Sequence, residues 1–166
     1  MEPRDVVVAW LNDAHAMENA LIRVLEHRVD DAKDYPWIQA RDQQHLDQTR
    51  RHADMVKSCV DRLGGKTSTI KSTLASLFGT VQAPTTGPAG DEIVKNFLTD
   101  YAAESFEVAS YRALITAATE IGDRETATVC EQILAEDQDM ANWLIENLPV
   151  VTREQMIKMV GAGQRS

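Results

Sequence analysis

The sequence predicts an all-α protein, folded as an antiparallel four-helix bundle with one long crossover between its second and third helices. Two observations predict this architecture. Glycine and proline are concentrated in few places, and the stretches between them keep a helical spacing of apolar residues with no strand-like alternation. The chain has 166 residues, a length that suits one domain with a full hydrophobic core.

Four long helices are predicted in order along the chain, at about residues 5–29, 36–63, 92–121 and 124–147. Pro36 suits the first turn of the second helix, where its missing N–H is not needed, and Gly64 ends that helix. Asp91 is a candidate N-cap for the third helix. A capping box at Thr152–Gln155 predicts a short terminal helix over residues 153–160.

The connections between the helices predict how they pair. Short links join the first helix to the second and the third to the fourth, so each pair is expected to form an antiparallel hairpin. The crossover, residues 64–91, is much longer and contains a weaker amphipathic piece, predicted as a short helix, before the loop QAPTTGPAG. A long connection in the middle of four helices is typical of a bundle with one crossover.

The overall charge excludes some classes of partner. Lys and Arg number 17 against 26 Asp and Glu, a formal net charge of −9, whereas nucleic acids and anionic membranes need a basic surface. The sequence contains neither an apolar run long enough to span a bilayer nor a recognisable secretory signal. Cys59 and Cys130 do not form a CxxC motif, so we expect a cytoplasmic protein with free thiols.

Polar residues interrupt the apolar seam near the middle of every predicted helix. In an antiparallel bundle the midpoints share one layer, so these side chains are expected to meet in the core. A buried carboxylate is costly unless it is paired, protonated or bound to a cation, and several together repel one another. Oxygen donors with an imidazole suit iron or manganese. The predicted metal ligands are Glu18, His52, Glu104, Glu107 and Glu136.

Other polar residues have plainer interpretations. His45 lies about two turns from His52, too far along the axis to bind the same single ion, so we assign it to packing or support. Asp42 is expected to be solvated, and Asp137 lies beside Glu136 in the chain. A purely structural network of ion pairs is the alternative to a metal site, and its cations would be Arg50, Arg51 and Arg112.

Four segments of the chain resemble the YciE/YciF family of bacterial stress-associated proteins, most closely its YciE branch. The segments are WLNDAHAMENAL at Trp10–Leu21, DEIVKNFLTDY at Asp91–Tyr101, ESFEVASYRALITAA at Glu104–Ala118 and ILAEDQDMANWLIENLP at Ile133–Pro149. The resemblance covers nearly the whole chain. It implies a ferritin-like bundle with a dinuclear metal centre and a homodimer, but no established reaction.

When the family's ligand positions are compared with this chain one by one, the resemblance supports ligands on the first, third and fourth helices. On the second helix the chain departs from the family pattern. Glu18, the pair Glu104 and Glu107, and Glu136 with Asp137 match the family's acidic positions. On the second helix the family reads His-Leu-x-Glu-Thr, whereas this chain reads HLDQT, with Gln48 in place of the glutamate. Because an amide is a weaker ligand, one of the two metal positions is expected to bind less well, with His52 able to compensate.

The superfamily's Glu-x-x-His motif is also absent as such from the second and fourth helices. The nearest matches are Thr49-x-x-His52 and Glu136-x-x-Asp139.

Two functions remain open on these observations. The first is a di-iron or di-manganese carboxylate protein that handles peroxide, oxygen or iron during stress, with a small oxidant as its partner. The second is a non-enzymatic homodimeric stress protein whose polar layer is a degenerate, metal-free site. The sequence does not require assembly into a storage shell.

Overall fold

The structure of the protein, a computed structural model, describes residues 2–67 and 91–163. Within these ranges it contains helices and turns but no strand. The helices are α1 (Pro3–Asp31), α2 (Pro36–Arg62), α3 (Glu92–Glu120) and α4 (Arg124–Gly163). The predicted all-α bundle is therefore confirmed. The short helix predicted within the crossover falls on residues 68–90, outside the described residues.

The four helices pack as two hairpins, α1 with α2 and α3 with α4, and α1 also packs on α3 and α2 on α4. Arg28, near the end of α1, binds Asp100 near the start of α3, so these two helices are antiparallel. Arg62, at the end of α2, binds Asp123 beside the start of α4, so these are antiparallel as well. It follows that α2 and α3 run parallel, an arrangement that needs a long connection between them.

The fourth helix is longer than predicted. The sequence predicts an end near residue 147 and a separate helix over residues 153–160, but α4 continues without a break to Gly163. The predicted capping box is wrong. The Oγ1 of Thr152 donates to the carbonyl of Leu148 at 2.8 Å, a bond typical of Ser and Thr inside a helix.

Packing beyond Pro149 explains why the helix continues. A proline inside a helix removes one hydrogen bond and crowds the preceding turn. On its far side Val151 and Gln155 are buried, and the Oε1 of Gln155 accepts a hydrogen bond from the hydroxyl of Tyr35 at 2.9 Å. The last turns of α4 therefore pack against the α1–α2 connection, which offsets the cost of the proline.

The interior consists of two apolar clusters with polar side chains between them. The alternation from apolar to polar and back to apolar is clearest along α2. Its buried residues in order are Ile38, Asp42, His45, Leu46, Thr49, His52, Ala53, Val56, Cys59 and Val60. Ile38 belongs to one apolar cluster, and the residues from Val56 onward belong to the other. Both cysteines are buried free thiols, as expected. None of the helices in the described ranges carries an apolar stretch that could cross a bilayer.

Candidate metal centre

Buried polar side chains from all four helices meet in the layer between the two apolar clusters, which we call the central layer. Its members are Glu18 of α1, His45, Thr49 and His52 of α2, Glu104, Glu107 and Tyr111 of α3, and Asp137 of α4. Four of the five predicted ligands, Glu18, His52, Glu104 and Glu107, are thus placed in this layer. The fifth, Glu136, lies at its margin.

Glu18 is held from one side by a tyrosine. The hydroxyl of Tyr111 donates a hydrogen bond to Glu18 Oε1, and both side chains are completely buried. The other carboxylate oxygen, Oε2, lies 3.8 Å from His52 Nδ1. Burial raises the pKa of Glu18 to about 8, against the opposing effect of the Tyr111 hydrogen bond and with a further rise from the negative charge of Glu104.

His45 and Glu104 form the closest pair across the layer. The Nε2 of His45 lies 2.8 Å from Glu104 Oε1. Burial by itself would lower the pKa of His45, but the adjacent Glu104 outweighs it, so the pKa is raised. One ligand atom each from His45, Glu104 and Asp137 lie within 4.8 Å of one another. Metal–ligand bonds are about 2.0–2.2 Å long, so donors at this separation are close to the spacing of ligands around one ion.

Asp137, not Glu136, is the acid of α4 that points into the central layer. Asp137 is 1% exposed, whereas the Glu136 side chain is 23% exposed. The Oδ1 of Asp137 lies 3.5 Å from His52 Nδ1. The buried row of α4 reads Ile133, Asp137, Met140 and Leu144, with spacings of four, three and four. That row was the sequence signal for Asp137, because it fits the helical repeat as well as a row through Glu136 does.

The structure adds to one interpretation on α2 and corrects another. His45, assigned from the sequence to packing or support, is buried in agreement with that assignment, and it also forms a group with Glu104 and Asp137 that could hold a metal ion. Asp42, expected to be solvated, is buried, and burial together with the nearby Asp100 raises its pKa to about 7. Its surroundings include Arg28, whose Nε lies 2.9 Å from both carboxylate oxygens of Asp100. Gln48, which replaces the family glutamate, lies with its Oε1 3.4 Å from His45 Nδ1.

The unpaired atoms of the central layer match the donor set of a metal site. Burial raises the pKa of Glu107 and of Asp137 well above the usual range, and neighbouring carboxylates add to both shifts. In the described ranges, six buried atoms of this layer have no hydrogen-bond partner: Glu18 Oε2, His52 Nδ1, Glu104 Oε2, Glu107 Oε1 and both carboxylate oxygens of Asp137. All six can bind a cation, and bound cations are one established way to compensate buried carboxylates.

The raised pKa values predict how the metal-free protein responds to pH. The unfolded chain releases the protons of Glu18, Glu107 and Asp137 near pH 4. In the folded chain burial raises the pKa of Glu18 to about 8 and raises the pKa values of Glu107 and Asp137 well above their usual range. The folded state therefore binds more protons between pH 7 and pH 8, and its free energy of unfolding falls as pH rises. Each retained proton contributes about 1.4 kcal/mol per pH unit.

Urea denaturation of chelator-treated protein at pH 7.0 and 8.0 measures this fall. Glu18→Gln is expected to reduce it by up to about 1.4 kcal/mol, whereas Glu26→Gln, at an exposed position on the same helix, leaves it unchanged. A free energy of unfolding that is equal or higher at pH 8.0 would contradict the raised pKa values.

Known proteins show the same fold and sequence pattern. A family model described as "Domain of unknown function (DUF892)" matches residues 2–157. A crystal structure of a protein from Xanthomonas campestris pv. campestris is 32% identical, with a TM-score of 0.82, covering 95% of this chain and 99% of that one.

Two more distant structures share the ferritin-like helical bundle. The bacterioferritin of Desulfovibrio desulfuricans, whose structure is described by its diiron site in different catalytic states, is 22% identical with a TM-score of 0.74, covering 91% of this chain and 82% of that one. The stress protein YciF of E. coli is 20% identical with a TM-score of 0.79, covering 92% and 98% respectively. The fold is thus ferritin-like, and the chain belongs to the family described as "Domain of unknown function (DUF892)".

Proposed function

We propose that the protein binds a pair of iron or manganese ions in the central layer and uses them to handle peroxide or oxygen during bacterial stress. The observation that carries this proposal is the set of six buried, unpaired ligand atoms contributed by all four helices. Leaving so many buried oxygens without partners is costly. Two divalent cations would compensate them and cancel the mutual repulsion of the carboxylates.

The proposed ligands add His45 to the set predicted from the sequence and replace Glu136 by Asp137. They are Glu18, His45, His52, Glu104, Glu107 and Asp137. Four carboxylates and two imidazoles form a mixed oxygen and nitrogen set that suits iron or manganese. The diiron site of the similar bacterioferritin supports a dinuclear centre, and the stress protein YciF supports the physiological setting.

The chain's own residues perform separate tasks in this proposal. A bound iron or manganese pair would supply the electrons that reduce peroxide or oxygen. Tyr111 fixes Glu18 through its hydroxyl, which leaves Oε2 of that carboxylate directed towards His52. The apolar clusters on either side limit the access of water. Gln48 adds no negative charge beside His45, so the metal position near His45 is expected to bind more weakly.

The alternative is a metal-free scaffold whose polar layer is degenerate. A metal-binding measurement distinguishes this scaffold from the proposed metal centre, because the scaffold would bind no metal. Its unpaired carboxylates would instead have to remain protonated or solvated at neutral pH. The homodimer, the cytoplasmic location and the particular similarity to the YciE branch stay predictions of the sequence.

Peroxide consumption tests the proposed activity. Protein loaded with Mn²⁺ or Fe²⁺ is expected to consume hydrogen peroxide faster than the same concentration of free metal. Glu107→Gln should reduce this rate at least about tenfold, because it removes a charged ligand. Glu120→Gln, at an exposed position on the same helix, should leave it unchanged. A loaded protein no faster than free metal would restrict the function to metal binding.

A further inference from the structure

In the described ranges, four ion pairs of one type join α2 to α4 or to the turn before α4. In each, an arginine of α2 binds an acid: Arg41 with Asp139 at 2.7 Å, Arg51 with Glu136 at 3.0 Å, and Arg62 with Asp123 at 2.6 Å and Glu125 at 3.3 Å. Among these four acids, Glu136 is the one in contact with the central layer. Its Oε2 lies 3.0 Å from His52 Nε2, whereas Asp139 is 70% exposed and faces solvent.

The two ring nitrogens of His52 have different surroundings. Nε2 faces the carboxylate of Glu136, and an ionised carboxylate can only accept a hydrogen bond. The Nε2 must therefore carry the ring proton when the imidazole is neutral. Nδ1 is then left with its lone pair, and it is buried without a hydrogen-bond partner. It lies 3.5 Å from Asp137 Oδ1 and 3.8 Å from Glu18 Oε2, on the side of the proposed ions.

We propose that Glu136 is a positioning residue that fixes the tautomer and orientation of His52, so that Nδ1 is presented to the metal. Arg51 holds the Glu136 carboxylate in place from the surface. This inference rests on the proposed metal centre, and it replaces the role of ligand that the sequence predicts for Glu136.

The contacts of Glu136 favour positioning over ligation. Both of its oxygens are already engaged: Oε1 accepts a hydrogen bond from Arg51 at 3.2 Å, and Oε2 accepts from Arg51 at 3.0 Å and from His52 at 3.0 Å. Asp137, one residue on, has both oxygens buried and unpaired. A histidine that binds a metal through one nitrogen commonly donates its other N–H to a carboxylate, and this partner orients the ring and strengthens the ligand.

The tautomer can be measured without any metal. Nitrogen-15 NMR of the histidine rings at pH 8, on chelator-treated protein, is expected to show His52 protonated at Nε2 only. Glu136→Ala should convert it to a mixture of the two tautomers or to the Nδ1–H form. Asp139→Asn, which breaks a pair of the same type at the same interface, should leave the His52 signals unchanged. A His52 that is protonated at Nδ1 in the wild type, or unaffected by Glu136→Ala, would overturn the proposal.

Calorimetric titration with Mn²⁺ separates positioning from ligation. Glu136→Ala is expected to weaken binding about 10- to 100-fold at unchanged stoichiometry, and Glu136→Gln, whose amide oxygen still accepts from Nε2, should recover part of the loss. Loss of a whole equivalent of metal in both variants would show that Glu136 is a ligand, and unchanged affinity would show that it has no role; either result overturns the proposal. A wild type that binds no Mn²⁺ or Fe²⁺ would defeat the proposed function, while the metal-free NMR experiment would still decide the tautomer.

Discussion

Saturating Mn²⁺ or Fe²⁺ is expected to raise the melting temperature of chelator-treated protein by about 5–15 °C at pH 8. A ligand that binds only the folded state at 100 to 1,000 times its dissociation constant adds about 2.7 to 4.1 kcal/mol. For a chain of this size each kcal/mol corresponds to roughly 2–4 °C. The physical source is the compensation of Glu18, Glu107 and Asp137, whose raised pKa values show that burial disfavours their charged forms. Differential scanning calorimetry measures the shift.

The increase should shrink at pH 5.5, because protons then compete with the metal for the same carboxylates. Mg²⁺ at the same concentration should produce a smaller shift, since it rarely takes imidazole ligands and gives up its water reluctantly. Equal shifts with Mg²⁺ and Mn²⁺ would indicate binding to surface acids instead of to the central layer.

Asp137→Asn is expected to change stability and metal affinity in opposite directions. The substitution keeps the shape of the side chain and removes an acid whose ionised form is disfavoured by burial and by the negative charges of Glu104 and Glu18. Because Asn needs no proton to be buried in neutral form, the metal-free protein should gain about 1–3 kcal/mol at pH 8. The same change should weaken Mn²⁺ binding at least about 100-fold, because the neutral amide is a poor ligand. Denaturation and calorimetric titration of one preparation measure both effects.

Asp139→Asn is the matched control, since it makes the same chemical change two residues away at an exposed position. It should alter neither quantity by more than about 0.5 kcal/mol. If Asp137→Asn destabilised the metal-free protein, or bound Mn²⁺ like the wild type, the carboxylate at this position would be structural.

The fold could be predicted from the sequence because its signals are local and mutually consistent. Gly64 and Gly122 adopt φ angles of 74° and 75°, at the ends of helices where only glycine does so without strain. The end of α4 could not be predicted, because Pro149 is a local signal that argues for a break. The packing of Val151 and Gln155 beyond it depends on tertiary structure, which no window of sequence contains.

The sequence predicts at which height along the bundle the site lies, but it does not predict all of the residues that form it. Spacing places Glu18, His52, Glu104 and Glu107 in one layer, and there they lie. Neighbouring residues on a helix differ by about 100° in direction, and both Glu136 and Asp137 satisfy a spacing of three or four from Ile133. The choice between them depends on the rotation of α4 against α2, where Arg51 holds Glu136 at the surface. His45 was not predicted as a ligand for a similar reason. The prediction considered only the distance between His45 and His52 along α2, whereas Glu104, on another helix, lies 2.8 Å from His45.

The acidic side chains therefore form two groups, one at the surface and one buried in the central layer. Most of the 26 acids keep the surface negative, and Arg50, offered from the sequence as a cation for a structural network, pairs with the exposed Glu26. The smaller group is buried in the central layer. In the described ranges, the arginines at the α2–α4 interface reach this layer only at its margin, at Glu136, and Asp137 keeps both carboxylate oxygens without a hydrogen-bond partner.

Elemental analysis of protein purified without chelator tests the central claim most directly. We expect iron or manganese at one to two ions per chain, and its disappearance when Glu18→Ala and Asp137→Ala are combined in a variant that still folds. A metal-free wild type that also refuses added Fe²⁺ and Mn²⁺, with unchanged stability, would contradict the claim.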